Sequence, residues 1–467
     1  MHDLTTGSVT RHLLKTSGFM LVTMLFQTLY YLVDLYWVGR LGKEAVAAVG
    51  VAGNLMFISL AVTMMLGVGT TVLISHAVGS KDHDRAQLVF NQSQVLSALA
   101  GVVYLALGMA ARGLYAGGLS ADATTAALAN GYLLWFLPAM ALQFAMVAMS
   151  SALRGTGNFK PGMVVQSATV MINILLAPVL IFGWGTGRPL GVAGAAIATL
   201  IAIVVGNAWL LLYFVRPDSY LKFNRASWKP QPALWRAMLA VGLPAGAEFA
   251  LMAIYLIMVY AVSRPFGAEA QAGFGIGMRV IQAGFLPVVA LGFAVSPVAG
   301  QNVGARLPQR VGETFRSAVL LATSLMVVLV AVCHIAPDAM IRVFSKDPAV
   351  IAVGDEYLRI ISWNFIASGV IFVSSSMFQA LGNTVPALVS SLMRIVAMIP
   401  VLFLSGMPGF RLRTVWYISV VAVALQMCLS LFLLRREFRR RLGPMEHSAA
   451  AEPLTPKPEA HTEAPVG

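Results

Sequence analysis

The sequence predicts an all-α membrane protein of twelve transmembrane helices, in two six-helix bundles related by a pseudo-two-fold axis along the membrane normal. Composition is the first reason. Of 467 residues, 58% are hydrophobic and 11% charged, and the mean hydropathy is +0.79, outside the range of soluble domains. The second is that apolar runs long enough to span a bilayer, which takes roughly 20 residues, recur twelve times. The third is self-similarity. At a single offset of 225, Val78-Gly79 matches Val303-Gly304, Arg85 matches Arg310, Tyr132-Leu133 matches Tyr357-Leu358, Ser150-Ser151 matches Ser375-Ser376, Gly157-Asn158 matches Gly382-Asn383 and Pro161 matches Pro386. Each repeat holds an even number of spans, so both halves cross the membrane in the same sense.

In chain order, spans are expected near 14–38, 46–75, 88–111, 125–152, 162–183 and 191–215, forming an N-terminal bundle over residues 1–215. A polar connector, RPDSYLKFNRASWKPQP, occupies the stretch 216–236, and six further spans near 237–263, 276–300, 312–335, 356–380, 386–405 and 414–434 form a C-terminal bundle over 237–442. Breaks fall at turn-forming stretches such as GSKDHD, GTGNFKP, RPFGAEA, SKDP and LGNTVP. From Gly443 to 467 the chain is polar, rich in Pro and Ala and without periodicity, which predicts a disordered tail. Arg11, His12 and Lys15 precede the first apolar run with no small-residue cleavage site, so that run is read as a retained helix rather than a signal peptide.

The formal charge of +13 is spread over loops and a terminal cluster, with no basic domain to make a nucleic-acid footprint. With the N-terminus inside, the inner segments carry nineteen Lys and Arg against nine outside, which predicts a multi-pass protein of the cytoplasmic (inner) membrane with both termini cytoplasmic. Arg435, Arg436, Arg439, Arg440 and Arg441 either mark that orientation or hold anionic headgroups. Cys333 and Cys428 both lie in apolar spans and read as small hydrophobes.

Of the nineteen Asp and Glu, only Asp34 and Glu248 fall well within predicted spans, one in each half. A charge in hydrocarbon costs at least a few kcal/mol, so each is a functional candidate. Thr23, Gln27, Tyr30 and Asp34 share one face of the first helix by their 4, 3, 4 spacing. The structural alternatives are a pairing of Asp34 with Arg40, and a Glu248 carboxyl satisfied by neighbouring hydroxyls. A carboxylate facing a cavity can take a proton from one side and lose it on the other, or coordinate Na⁺ through oxygen. Asn173 adds a neutral donor and acceptor in mid-span, with Pro178 freeing a backbone carbonyl near it. Arg394, the deepest basic residue, is either a counter-ion for an acid in its half or a snorkelling side chain, and Arg359 is expected to pair near Asp355 and Glu356. The 24 Met and 24 Phe include candidates for a soft, adaptable cavity wall. The chain has no G-x-x-x-x-G-K-[ST] loop, no HExxH and no paired carboxylates, so neither nucleotide-driven work nor an enzyme is indicated.

The segments LYYLVDLYWVGRLG, LISHAVGSKDHDRA, ALRGTGNFKP, LGVAGAAIAT, LPAGAEF, SPVAGQNVGA and QALGNTVP, in this order over about residues 14–434, resemble the signatures of multidrug and toxic compound extrusion (MATE) transporters. The resemblance implies a V-shaped pair of bundles that exports cationic or amphipathic compounds in exchange for H⁺ or Na⁺ by rocker-switch motion, as a monomer without cofactor. It implies ion coupling at Asp34 and Asn173, with a possible Na⁺ site between them, and at Glu248. Gln27, Tyr30, Tyr31, Thr199, Arg279 and Arg394 are the expected substrate-cavity residues. The sequence departs from the family pattern at Ala177, where many members carry an acid before the proline, and at Gly18, where many carry a first-helix proline. Losing that acid tilts the expectation toward protons. The alternative within the superfamily is a lipid-linked precursor flippase, for which a strongly cationic cavity would be needed.

Overall fold

The computed structural model describes residues 2–120, 122–185, 187–263, 266–404 and 411–445. Within them the chain is helical, with no strand. The helices are α1 (Val9–Gly39), α2 (Lys43–Gly79), α3 (His83–Leu119), α4 (Ala123–Gly155), α5 (Phe159–Phe182), α6 (Val192–Val215), α7 (Pro232–Ser263), α8 (Ala268–Gly304), α9 (Pro308–Ile335), α10 (Pro337–Arg342), α11 (Pro348–Ile361), α12 (Asn364–Ala380), α13 (Val385–Leu404) and α14 (Leu412–Arg441). Their starts follow from capping: Ser8, Asp82 and Asp122 each accept from the backbone N–H three residues on. The tail expected from Gly443 lies, beyond residue 445, outside the described residues.

Ten of these helices are long and apolar enough to cross a membrane. Each expected span corresponds to a helix with one exception. The span expected over 356–380 is broken into α11 and α12, which meet at a 55° bend. At the break the Ser362 hydroxyl donates to the Arg359 carbonyl at 3.1 Å, and Arg359 is paired with Asp355 at 3.0 Å in the turn before it. The bent pair and the shorter α13 complete the expected twelve. Glu356, the other expected partner of Arg359, pairs with Arg413 instead.

Two large apolar clusters organise the packing. One gathers Val38, Tyr132, Leu133, Phe136, Ile181 and Val192 from helices of the first half. The other gathers Phe274, Val295, Tyr357, Phe378 and Trp416 from the second half, and it also takes in Leu4, Val9 and Leu13 from the start of the chain. The first turns of α1 therefore pack against α8 and α9, across the sequence midpoint.

The halves meet where α2 packs against α7 and α8. A Cβ on Gly79 would fall 1.9 Å from the Gln301 carbonyl, and one on Gly304 would fall 2.1 Å from the His76 carbonyl. Residues 76 and 301, like 79 and 304, are 225 apart, so the contact is reciprocal, as a two-fold relation requires. Backbone conformation obeys the same offset: φ is positive at Lys81 and Arg306, at Gly157 and Gly382, and at Gly42 and Gly267. His76 Nε2–H also donates to the Ala380 carbonyl at 2.6 Å. This end of the molecule carries the α2–α3, α4–α5, α8–α9 and α12–α13 turns.

Candidate functional site

Two cavities lie beside this interface, and they share Met64, Phe249 and Phe293 in their walls. The larger, about 590 Å³, is built mainly by α1, α2, α4, α5 and α6. Six methionines contribute to its wall, together with Gln27, Tyr30, Tyr31, Asn173 and Thr199. The smaller, about 230 Å³, lies in the second half and is lined by Glu248, Tyr255, Arg394 and many aromatic rings. Apolar, polarisable walls with a few placed polar groups suit amphipathic small molecules.

The α1 face expected from the sequence forms in part. Asn173 Nδ2–H donates to Thr199 Oγ1 at 3.0 Å, Tyr30 Oη lies 3.2 Å from the same oxygen, and Thr199 donates to the Ala195 carbonyl at 3.1 Å. Thr199 thus spends its one proton on the backbone and accepts from both neighbours, which ties α1, α5 and α6 together at one atom. Tyr31 is 52% exposed and reaches Met56 Sδ at 3.8 Å. Asp34 stands one turn beyond Tyr30 and does not itself line the larger cavity. Its Oδ1 is buried without a hydrogen-bond partner among the described residues. Tyr30, Tyr31 and Tyr132 lie close enough to interact electrostatically with its carboxylate. Arg40 does not pair with Asp34; its guanidinium lies over the Tyr36 and Trp37 rings at 5.4 and 5.8 Å.

Ala177, where the family resemblance implies an acid, is 1% exposed inside the first apolar cluster. Among the described residues the larger cavity has no carboxylate in its wall, and its one charged lining residue is Arg154.

In the smaller cavity, Ser375 and Ser391 donate to the two oxygens of Glu248 at 2.7 and 3.2 Å. Each oxygen of this acid thus accepts from one hydroxyl, the arrangement of the hydroxyl-satisfied alternative. Arg394 is not paired directly with Glu248: its Nε–H donates to Gln426 Oε1 at 2.9 Å and its guanidinium lies 5.3 Å from the Tyr255 ring centre. Arg279 departs from expectation. It is exposed and lines neither cavity. The α8 face bearing Phe274 and Met278 points into the smaller cavity, and Arg279, one residue on, is turned about 100° away.

Sequence reasoning missed Ser375, Ser391, Gln426 and Arg154 as site residues. The two serines were visible only as repeat matches or ordinary mid-span hydroxyls, and Arg154 only as a topology signal in ALRGTGN. No group of three or more His, Cys, Asp or Glu able to hold a metal occurs among the described residues.

The MatE family model matches residues 20–179 and 244–404. The chain is 28% identical to the probable multidrug resistance protein YoeA of Bacillus subtilis, covering 87% of this chain and 89% of that protein. It is 25% identical to the multidrug export protein MepA of Staphylococcus haemolyticus, covering 85% and 87%. It is 26% identical to the probable multidrug resistance protein NorM of Thermotoga maritima, covering 81% of each. Among solved structures, the fold matches a MOP superfamily transporter from Pyrococcus furiosus Vc1 with TM-score 0.85 at 24% identity, over 95% of this chain and 98% of that one. A MATE structure in the bent conformation gives TM-score 0.87 at 24% identity, over 96% and 98%.

Proposed function

The chain belongs to the MatE family, and from that premise we propose that it is a secondary active antiporter exporting cationic or amphipathic drugs and toxic compounds in exchange for H⁺ or Na⁺. It works in the cytoplasmic membrane with both termini inside. Its two bundles, residues 1–215 and 237–442, rock about their interface so that the cavities face each side in turn.

One observation carries the ion-coupling part of this reading. Asp34 presents a buried carboxylate oxygen with no donor among the described residues, one turn from the Tyr30–Thr199–Asn173 junction that joins three helices. Such an oxygen is suited to accept a proton or coordinate a cation, and a change of its charge acts directly on the packing of α1. Glu248, already held by two serine hydroxyls, supplies a second titratable group in the other half. With Ala177 in place of an acid, a Na⁺ site around Asp34 and Asn173 has few anionic ligands, which favours H⁺. The flippase alternative calls for a strongly cationic cavity, and the exposure of Arg279 weakens it.

The test is ethidium efflux from proteoliposomes under separately imposed H⁺ and Na⁺ gradients. Stimulation by the H⁺ gradient is expected. Stimulation by Na⁺ alone would overturn the proton preference, and no flux under either gradient would overturn the antiporter reading.

A further inference from the structure

The expected cargo of such a protein is cationic, yet the larger cavity carries one charge of the opposite kind. Arg154 closes α4 and lines this cavity. Its hydrogen bond is from Nη2–H to Ser151 Oγ at 2.5 Å, and none of the ion pairs among the described residues includes it. A partly buried guanidinium offers five donors in a planar fork, and one serine hydroxyl leaves most of that fork unused. Its place in the last turn of α4 puts it at the negative end of the helix dipole, which helps it stay charged there without an acid. Gln27, Gln143 and Gln166 add amide groups to the same wall, which also carries six Met and four Phe.

We propose that Arg154 is a binding residue for the acidic group of amphiphilic substrates, a carboxylate or phosphate borne on an apolar body, which the methionine-rich wall receives. Arg394 is less free for this role, because it is already engaged by Gln426 and Tyr255 and shares its cavity with Glu248. Arg154 lies at the end of the bundle where the α4–α5 turn emerges, the end expected to face the cytoplasm, so within this cavity it sits toward the side from which an exported substrate enters. The proposal deepens the export reading by naming a substrate class, and it is tested by binding rather than flux, so the two can fail separately.

The experiment measures fluorescence anisotropy of carboxyfluorescein, a soluble organic anion, against detergent-purified full-length protein. Octyl phosphate, octyltrimethylammonium and inorganic phosphate serve as competitors. Octyl phosphate is expected to displace the dye at a concentration about tenfold or more below that of octyltrimethylammonium, the scale of a charge-assisted hydrogen-bonded pair. Arg154→Gln should weaken dye binding by a similar factor while strengthening ethidium binding, an opposite-sign effect that a structural defect does not produce. Arg154→Lys should fall between. Unchanged dye affinity in a folded R154Q variant overturns the proposal. If R154Q does not fold, the wild-type competition decides, and equal potency of the two octyl compounds overturns it. Displacement by inorganic phosphate as effective as by octyl phosphate overturns the requirement for an apolar body.

Discussion

Asp34 and Glu248 are held in opposite ways, and their substitutions should separate accordingly. Glu248 has a serine donor for each oxygen, whereas Asp34 keeps a buried oxygen with none. In proteoliposomes, Asp34→Asn is expected to lower ethidium efflux about tenfold or more, since the amide cannot carry the coupled charge. Glu248→Gln should lower it by less, because the amide oxygen still accepts from one serine. Undiminished efflux in both variants would remove these residues from the coupling site. The converse test concerns stability. Ser375→Ala with Ser391→Ala strips Glu248 of its donors, and the cost of about 1–3 kcal/mol for each buried group left unsatisfied should appear as a lower melting temperature of the purified protein. Of these partners only the acids were legible in the sequence. A carboxylate stands out in an apolar span, but a serine there does not, and which serine faces which acid depends on how three helices are rotated against one another.

At the scale of elements, two segments that read as loops do structural work. Residues 2–7 form a strap across the end of the molecule that bears the interface. His2 N–H donates to the Thr156 carbonyl at 3.0 Å and Leu4 N–H to Gln301 Oε1 at 3.0 Å, while Arg310 Nη2–H donates to the Gly7 carbonyl at 3.0 Å. Leu4 is 2% exposed. The strap thus ties the α4–α5 turn to α8 and α9. Leu4→Asp should release it, and a cysteine placed at Thr156, in a background lacking Cys333 and Cys428, should then react faster with an impermeant maleimide. An unchanged labelling rate would show that the strap covers nothing. Thr5 donates its hydroxyl and backbone N–H to Asp3 at 2.5 and 2.8 Å, which holds the Asp3 carboxyl below the usual carboxylate range. A lowered folded-state pKa means that this support is present above the ordinary carboxylate pKa and is lost as pH falls through the lowered one. A nitroxide spin label attached at that cysteine, whose readout does not depend on the thiolate, should therefore gain mobility as pH falls through that range.

The connector is the second such segment. Gln87 and Asn91 donate to the Lys222 carbonyl, Asn91 Oδ1 accepts from Asn224 N–H and Trp228 Nε1–H, and Gln92 bonds Ser227, Lys229 and Gln231. Three amide side chains of α3 thus fasten the linker to the first half as far as Gln231, whose carbonyl in turn accepts from Leu234 and Trp235 N–H in the first turn of α7. From sequence this stretch reads only as a polar connector, because the residues that fix it are more than a hundred positions away.

At the scale of the whole molecule, closure of the strap-bearing end rests on the absence of a side chain at two related positions. Gly79→Ala and Gly304→Ala would each place a Cβ about 2 Å from a carbonyl oxygen of the other half, far inside van der Waals contact, so α2 and α8 would have to separate. Either variant should lower efflux and raise labelling of a cysteine at Ser151 from that side. Full activity in both would show that the two helices need not close this tightly during transport.

The sequence by itself determined the number of spans, their approximate ends, the repeat and the two intramembrane acids. Each of these rests on a local or periodic property: apolar length, turn chemistry, a constant offset, or a charge where hydrocarbon should exclude one. Only the tertiary structure decided that Asp34 stands behind Tyr30 rather than in the cavity wall, that Arg279 faces away, that Arg154 faces in, and that the span over 356–380 is bent. Those outcomes depend on helix rotation and on contacts between residues far apart in the chain. In a protein where most faces of most helices are apolar, no periodicity marks which face will meet a cavity, a neighbour or lipid.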